Sequence, residues 1–258
     1  VASYDRWRTG LAQRHTYTVA TGTWPVDCVS EDEKDAIGET ANAVSEFFPV
    51  SLYSHHGCAG RVDVEAYRAE AIARVEQATP YLLAQELWTG TVSGNPSLQS
   101  TGFDLTPFVG SDLTPAEGVA ALLGAFETVT AGAKTFVHVP QPIVFDLIDK
   151  VLVTRQGNRL VTANGHVIIP GPGYPVAPGS HGPAGSDPAD AGEFWIYATG
   201  CVEVGVHTTF TTGAEDNAVG GYARQNLVEY YAERLAIYRF PPTVMAIKVR
   251  ASWYAAGS

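Results

Sequence analysis

Two periods alternate along this chain. In "VDVEAYRAEAIARVEQATPYLLAQELWTG", Val64, Tyr67, Ala71, Val75, Leu82, Leu83 and Leu87 recur mostly at spacings of three, four or seven, with Glu and Arg filling the opposite face. That spacing predicts one amphipathic helix from about Asp63 to Gly90. Pro80 inside it predicts a kink rather than a stop, because the pattern resumes beyond it. At 1.5 Å per residue such a helix is roughly 38 Å long, which is long for a compact enzyme of this size. The stretch "NLVEYYAERLAIYRFPPTVMAIKV", 226–249, admits both periods. At helical spacing Leu227, Tyr231 and Leu235 form a stripe. At period two Val228, Tyr230, Ala232, Ala236, Tyr238 and Phe240 share a face that Arg234 alone interrupts, and the strand bends at Pro241-Pro242 before resuming from Thr243 to Val249. The abundance of Tyr, Val, Ile and Phe favours the strand.

The remaining segments are shorter. Residues 1–29 read as loop-rich, with "HTYTVATGTW" as an extended arm or hairpin. Ser30 and Glu33 have capping-box spacing and open a helix expected to run to about Phe48 and stop at Pro49; "VSLY" follows as a short strand. Residues 91–113 read as a loop. Thr114-Pro115-Ala116-Glu117 supplies an N-cap, a proline at N1 and a glutamate at N3, so a helix runs from there to Gly132. "KTFVHVP" reads as a buried strand, "PIVFDLIDKVLV" as a helix, and "RLVTANGHVIIP" as a hairpin with Asn164-Gly165 in a type I′ turn. A Gly/Pro/Ser/Ala loop spans 170–192, and "FWIYATGCVEVGVHTTF" reads as one long alternating strand. The class is α+β, with no internal repeat.

Composition narrows the function. A 258-residue chain with 45 % hydrophobic residues can bury a proper core. Its apolar runs of about six residues fall far short of the roughly 20 that cross a bilayer, and no charged-then-apolar leader is visible. Val1 fits either removal of an initiator Met or proteolytic maturation. A net charge of −11 without any basic run argues against a nucleic-acid grip. Cys28, Cys58 and Cys201 are far apart and read as free thiols of a reducing cytoplasm. The adjacent His55 and His56, with His138, His166, His181 and His207, form no ligand spacing, so surface or loop histidines are expected and no metal or cofactor. "GHVIIPGPGYPVAPGSHG" loosely resembles the second cupin motif but the first is missing, and "GPGYPVAPG" is no phosphate loop. No nucleophile motif such as G-x-S-x-G is present, and the carboxylates crowd at 31–39 and on helix faces, so no catalytic residue is assigned.

The C-terminal half carries a resemblance. Glu215-Asp216-Asn217, then Ala232-Glu233-Arg234-Leu235-Ala236, then Pro241-Pro242 follow the order of turn, long strand, proline and last apolar strand found in the major capsid proteins of tailed bacteriophages with the HK97-type fold. "ALLGAFETVTAGAKTFVHVPQPIVFDLIDKVLVTRQGNRL" is similar to that family's axial domain, including a short strand ending at His-x-Pro, and 63–89 resembles its spine helix. The resemblance spans roughly 62–250 and rests on order and texture of elements. It selects the strand reading for 224–240, with Arg234 at a subunit contact or reaching to the edge.

The resemblance implies an N-terminal arm at 1–14, an extended-loop-like region at 15–61, a peripheral domain with the spine helix at 62–111 and 201–258, and an axial domain at 112–200. It implies a structural protein, not an enzyme, that self-assembles into hexamers and pentamers of an icosahedral shell around double-stranded DNA, in the virion and built in the host bacterial cytoplasm. An actinobacterial host fits four lysines against twelve arginines. Decoration, scaffolding and portal proteins are the implied partners, with DNA held without sequence-specific contacts and no membrane. The helix expected at 31–48 departs from the family, whose extended loop is a two-stranded hairpin. Some family members join subunits through a Lys–Asn bond with a Glu nearby; Lys34, Asn226 and Glu233 stand in comparable places. The same-fold rival is an encapsulin shell, and the rival from another class is a small α+β enzyme with its site at the 165–182 loop and His166 and His181 as its key groups. A tail-tube or decoration protein is a third.

Overall fold

A computed structural model describes residues 11–15, 43–59, 64–109, 112–150, 152–176, 178–212 and 227–251. In chain order the elements are β1 (Leu11–His15), β2 (Ala43–Phe47), β3 (Val50–Ala59), α1 (Val64–Thr89), α2 (Leu98–Thr101), β4 (Phe103–Asp104), α3 (Thr106–Val109), α4 (Pro115–Thr130), β5 (Phe136–Pro140), α5 (Gln141–Asp149), β6 (Val153–Gln156), β7 (Arg159–Thr162), β8 (Val167–Gly171), β9 (Glu193–Thr199), β10 (Glu203–Val206), β11 (Phe210–Thr212), β12 (Leu227–Arg239) and β13 (Val244–Arg250). The α+β class holds, with the long helix and both C-terminal strands in place.

A seven-stranded mixed sheet, ordered β4-β13-β9-β5-β8-β7-β6, is the centre of the molecule. Alternation along its strands shows which face is which. Phe194, Ile196 and Ala198 of β9 join Met245, Ile247 and Val249 of β13 in a core with Leu122 and Phe126 of α4 and Ile143 and Leu147 of α5. The intervening Trp195, Tyr197, Val244 and Ala246 belong to a second core with Trp88 of α1, Leu98 and Tyr174. Both faces are covered, so all seven residues of β9 are buried. This is why the alternation expected over 194–210 fails. It fails also because the chain leaves the sheet after Thr199: β10 and β11 belong to the second sheet, on β12.

The second sheet is built around β12. On one side β3 pairs along its whole length, from Leu227↔Ala59 to Ala236↔Val50; on the other lie β11 and then β10. Ala232, Ala236, Tyr238 and Phe240 are all buried, as the period-two reading requires. Arg234 breaks that face by donating from Nε to the His207 carbonyl (3.1 Å), between β10 and β11. Helix α1 packs across this sheet through Ala71, Val75, Leu83 and Leu87. It runs unbroken through Pro80, which is exposed, and Thr79 Oγ1 donates to the Val75 carbonyl (2.6 Å).

Several local expectations need correction. Residues 43–47 are strand β2, not the end of a helix; the rest of the expected 31–48 helix lies outside the described residues. β2 pairs antiparallel with β1, from Leu11↔Phe47 to His15↔Ala43, and Phe47 is buried against Tyr238 and Phe240 at ring distances of 5.9 and 5.6 Å. Tertiary burial of that aromatic overrides a helical local signal. "VSLY" is the start of the ten-residue β3. The 91–113 loop contains α2, β4 and α3. "PIVFDLIDKVLV" is helical only to Asp149, after which Val153 begins β6. The hairpin turn is not type I′. The Gly165 N–H donates to the Thr162 carbonyl (2.9 Å) and the Thr162 N–H to the His166 carbonyl (2.9 Å), and only Gly165 has positive φ (82°). The turn is therefore centred on Ala163-Asn164, with Gly165 as the bulge glycine. The Thr114 cap is as expected: Thr114 Oγ1 accepts from the Glu117 N–H while Glu117 accepts from the Thr114 N–H. The Thr114 N–H (2.9 Å) and the Thr114 hydroxyl (2.8 Å) both donate to the Glu117 carboxylate and hold it below the usual carboxylate range.

Candidate assembly surfaces

The histidines singled out by sequence do not converge. His138 is wholly buried on β5, not at the surface, and sits in a closed relay. Its Nδ1 faces the Tyr174 hydroxyl at 2.7 Å and its Nε2 faces Thr199 Oγ1 at 2.9 Å. Thr199 Oγ1 donates its own proton to the Gly200 carbonyl (2.9 Å), so it accepts from His138 Nε2–H, and Nδ1 accepts from Tyr174. The ring is neutral, and burial pushes its pKa down to about 3. The same burial drives the Tyr174 hydroxyl well above the usual tyrosine range. His166, also buried, lies on the other side of the hairpin, where Nε2 meets Glu127 at 2.6 Å. His181 is exposed, its carbonyl accepting from Gln99. His207 is half-buried beside Thr208 (Nδ1 to the Thr208 carbonyl, 2.9 Å). His55 and His56 are consecutive positions of β3, opposite Tyr231 and Tyr230. Among the described residues no group of three His, Cys, Asp or Glu could hold a metal.

The 170–192 loop is a wedge rather than a lid. Tyr174 inserts beside Trp88 (ring distance 4.6 Å), which also meets Tyr197 at 4.6 Å. A Cβ at Gly173 would stand 2.3 Å from the Tyr81 carbonyl, so the loop backbone lies directly on helix α1.

Two polar clusters make this body rigid. At the end of α1, the buried Glu86 carboxylate accepts from the N–H groups of Val92 (3.1 Å) and Ser93 (2.8 Å) and from the Ser93 hydroxyl (2.5 Å). Next to it the Asn95 amide grips Phe48 at both backbone atoms, 2.7 and 2.8 Å, and Tyr238 Oη donates to the Glu86 carbonyl (3.1 Å). Helix α1, the β2–β3 junction and β12 thus meet at one knot. In the other cluster Glu193 holds Lys248 (3.0 Å) and Arg250 (3.1 Å), and Arg250 also reaches Asp112 (2.9 Å). Burial alone would raise the Glu193 pKa, but the Asp190 N–H, Lys248 and Arg250 outweigh it and hold the carboxyl low.

The surface left over is extended and partly apolar. Among the described strands β3 has a partner on one side only, and β10 and β11 likewise present an outer edge. Tyr53 of β3 is 71 % exposed. On the seven-stranded unit Phe103 and Phe108 stack at 5.8 Å while 54 % and 73 % exposed, and Phe145, Ile148 and Leu152 form a second exposed stripe beside a groove of about 350 Å³ between α4, α5 and the β7–β8 turn. Such apolar exposure marks contact surfaces. Periodicity could not separate these residues from core: Phe145 and Ile143 look equally hydrophobic, and only the second face of α5 tells them apart. Glu233, singled out for crosslinking, lies on β12 and accepts from the Ser51 hydroxyl; Lys34 and Asn226 lie outside the described residues. Cys201 is exposed with a free thiol. Among the described residues no helix is long and apolar enough to cross a membrane.

No family model and no curated protein matches the chain. Solved structures do. The capsid of an empty GTA particle aligns with a TM-score of 0.52 at 12 % identity, over 94 % of this chain and 85 % of that one. The SrpI encapsulin of Synechococcus elongatus PCC 7942 aligns at 0.50 and 10 % identity, over 83 % and 78 %. A chain of Gordonia phage Cozz aligns at 0.46 and 13 % identity, over 94 % and 80 %. The long helix laid on a long-stranded sheet and the helix-backed seven-stranded unit, with the alignments to the GTA capsid and the SrpI encapsulin, give the chain the HK97-type fold.

Proposed function

We propose that this chain is a major capsid protein, a structural subunit that builds hexamers and pentamers of a closed icosahedral shell around double-stranded DNA. The observation that carries the reading is one long helix packed on β12, with strand edges left unpaired among the described strands and exposed aromatics around it. A long helix on an open-edged sheet of this kind is well suited to many repeated contacts closed by symmetry. The one deeply buried histidine relay is fully satisfied and shut in, which supports a role in packing rather than catalysis. The net charge of −11 suits a wall along which packaged DNA slides without adhering. Scaffolding, portal and decoration proteins would be met during assembly in the host cytoplasm, and the particle itself is the virion. An actinobacterial host remains part of this proposal on composition.

The likeness to an encapsulin supports a second reading, a protein-filled compartment. One experiment addresses both. Light scattering followed by negative-stain microscopy of the purified chain should give rings or closed particles of several hundred kilodaltons to megadaltons. DNA inside isolated particles supports the capsid, and cargo protein the encapsulin. A species that stays near 27.5 kDa at high concentration overturns both.

A further inference from the structure

We infer that the stacked Phe103–Phe108 pair of one subunit docks into the α4–α5 groove of the next copy, forming the head-to-tail contact that closes a ring; this rests on the shell reading above. The two surfaces lie at opposite ends of one sheet. Phe103 is on β4, the first strand; the groove's near wall is α4, packed over β13 and β9, and its far wall is Leu152 with the Ala163–Asn164 turn after β7, at the other end. Five strand spacings from β4 to β7 are roughly 24 Å. A surface and its complement at opposite ends of one body make a heterologous contact, which generates rings when the rotation closes.

The knob is held firmly. Leu105 between the rings is buried, its N–H donates to the Ala246 carbonyl of β13 (2.8 Å), and Asp104 Oδ1 accepts from the Thr106 N–H (2.8 Å). Two exposed rings on so fixed a corner gain nothing from folding and would gain from burial between subunits. The groove is apolar, with Leu147 and Val153 as floor, Ala120 and Leu123 on one wall and Leu152 and Ala163 on the other. Charge agrees with the pairing. Segment 103–112 carries Asp104 and Asp112 and no cation, although Asp112 also meets Arg250; the groove's own acid, Glu127, is engaged by His166 Nε2 (2.6 Å), and the β6–β7 hairpin that starts from the groove at Val153 carries the exposed Arg155 and Arg159 and no acid. Only another copy of this chain brings each surface to the other in a repeating way.

The test uses the full chain with Cys28, Cys58 and Cys201 replaced by serine. Phe108→Cys with Ala163→Cys in one chain should give, on mild oxidation of assembled protein, a ladder of disulfide-linked species ending at the ring size. Mixing the two single variants should give dimers only, and each alone none. In parallel, Phe103→Ser/Phe108→Ser should cut the assembled fraction at least tenfold while the subunit still melts cooperatively. Particles that form normally from the double serine variant, or that form without any 108–163 linkage, overturn the contact and leave the shell reading intact. A parent protein that never assembles sinks the shell reading and the contact together.

Discussion

The two sheets of this molecule are built to different ends. The seven-stranded sheet is covered on both faces, and its β9 has no exposed residue. The four-stranded sheet is gripped by α1 yet leaves β3, β10 and β11 with open sides among the described strands. The first sheet is sealed on its two faces, with the short β4 and β6 at its edges. Among the described strands the second pairs each outer strand on one side only, an arrangement that isolated proteins normally guard against. Substitutions in the two-faced core of the first sheet should therefore act on stability, and substitutions at the exposed margins, the Phe103–Phe108 corner of the first sheet and the outer strands of the second, on assembly.

The largest effect is expected where the two regions share a core. Trp88 is buried between Tyr174 and Tyr197 and faces both sheets' packing. Trp88→Ala should cost about 3–5 kcal/mol. Denaturant unfolding of the dissociated subunit measures it. A loss below about 1 kcal/mol would mean that the two regions do not depend on a common core.

Acid should weaken the seven-stranded side next. His138 has a folded-state pKa of about 3 against an unfolded value near 6.5. Between those values the unfolded chain binds a proton that the native chain refuses, so stability falls as pH drops from 6.5, by up to about 1.4 kcal/mol per pH unit. Glu193, whose carboxyl is held low, adds loss in the same direction through the carboxylate range. His138→Gln should flatten the melting-temperature profile between pH 6.5 and 4, while lowering its plateau. An unchanged slope would show that His138 is not the titrating group.

Sequence made the long elements legible because α1 buries one stripe, Ala71, Val75, Leu83 and Leu87, and β12 buries its period-two face, Ala232, Ala236, Tyr238 and Phe240, although Leu235 and Ile237 of the other face are buried too. The Thr114 capping box was equally readable, since its partners are three residues apart. What escaped depended on distant partners. Residues 43–47 are strand because Leu11–His15 pairs with them and Phe47 meets Tyr238. Strand β9 loses its alternation because α4 covers one face and α1 the other. His138 passed for a loop histidine because Tyr174, 36 residues away, supplies half its relay. The exposed rings of Phe103, Phe108 and Phe145 were invisible as surface, since hydrophobicity alone reads as core.

The knot between the regions gives a smaller effect with a clearer meaning. Asn95→Ala removes both bonds to the Phe48 backbone and leaves a part-buried N–H and carbonyl without that partner. The cost should be about 2 kcal/mol. Hydrogen exchange should show faster exchange at the β2–β3 junction and little change on β9. Equal acceleration on both would mean that the two sheets open as one unit.

The smallest effect on stability should be the most telling for function. Tyr53 stands on β3 opposite Glu233, with most of its ring in solvent. Tyr53→Arg removes little buried area, so the isolated subunit should change by no more than about 0.5 kcal/mol. If β3 is a seam between subunits, the new cation and the lost ring act there on every copy, and a modest penalty per contact multiplies around a closed shell. Sedimentation should then show closed particles reduced several-fold at an unchanged subunit melting temperature. If particle yield is unaffected, β3 faces solvent in the shell, and the incomplete sheet must be closed along β10 and β11 instead. The matching substitution there, Val204→Arg on the other outer edge, carries the same expectation of intact folding and impaired assembly.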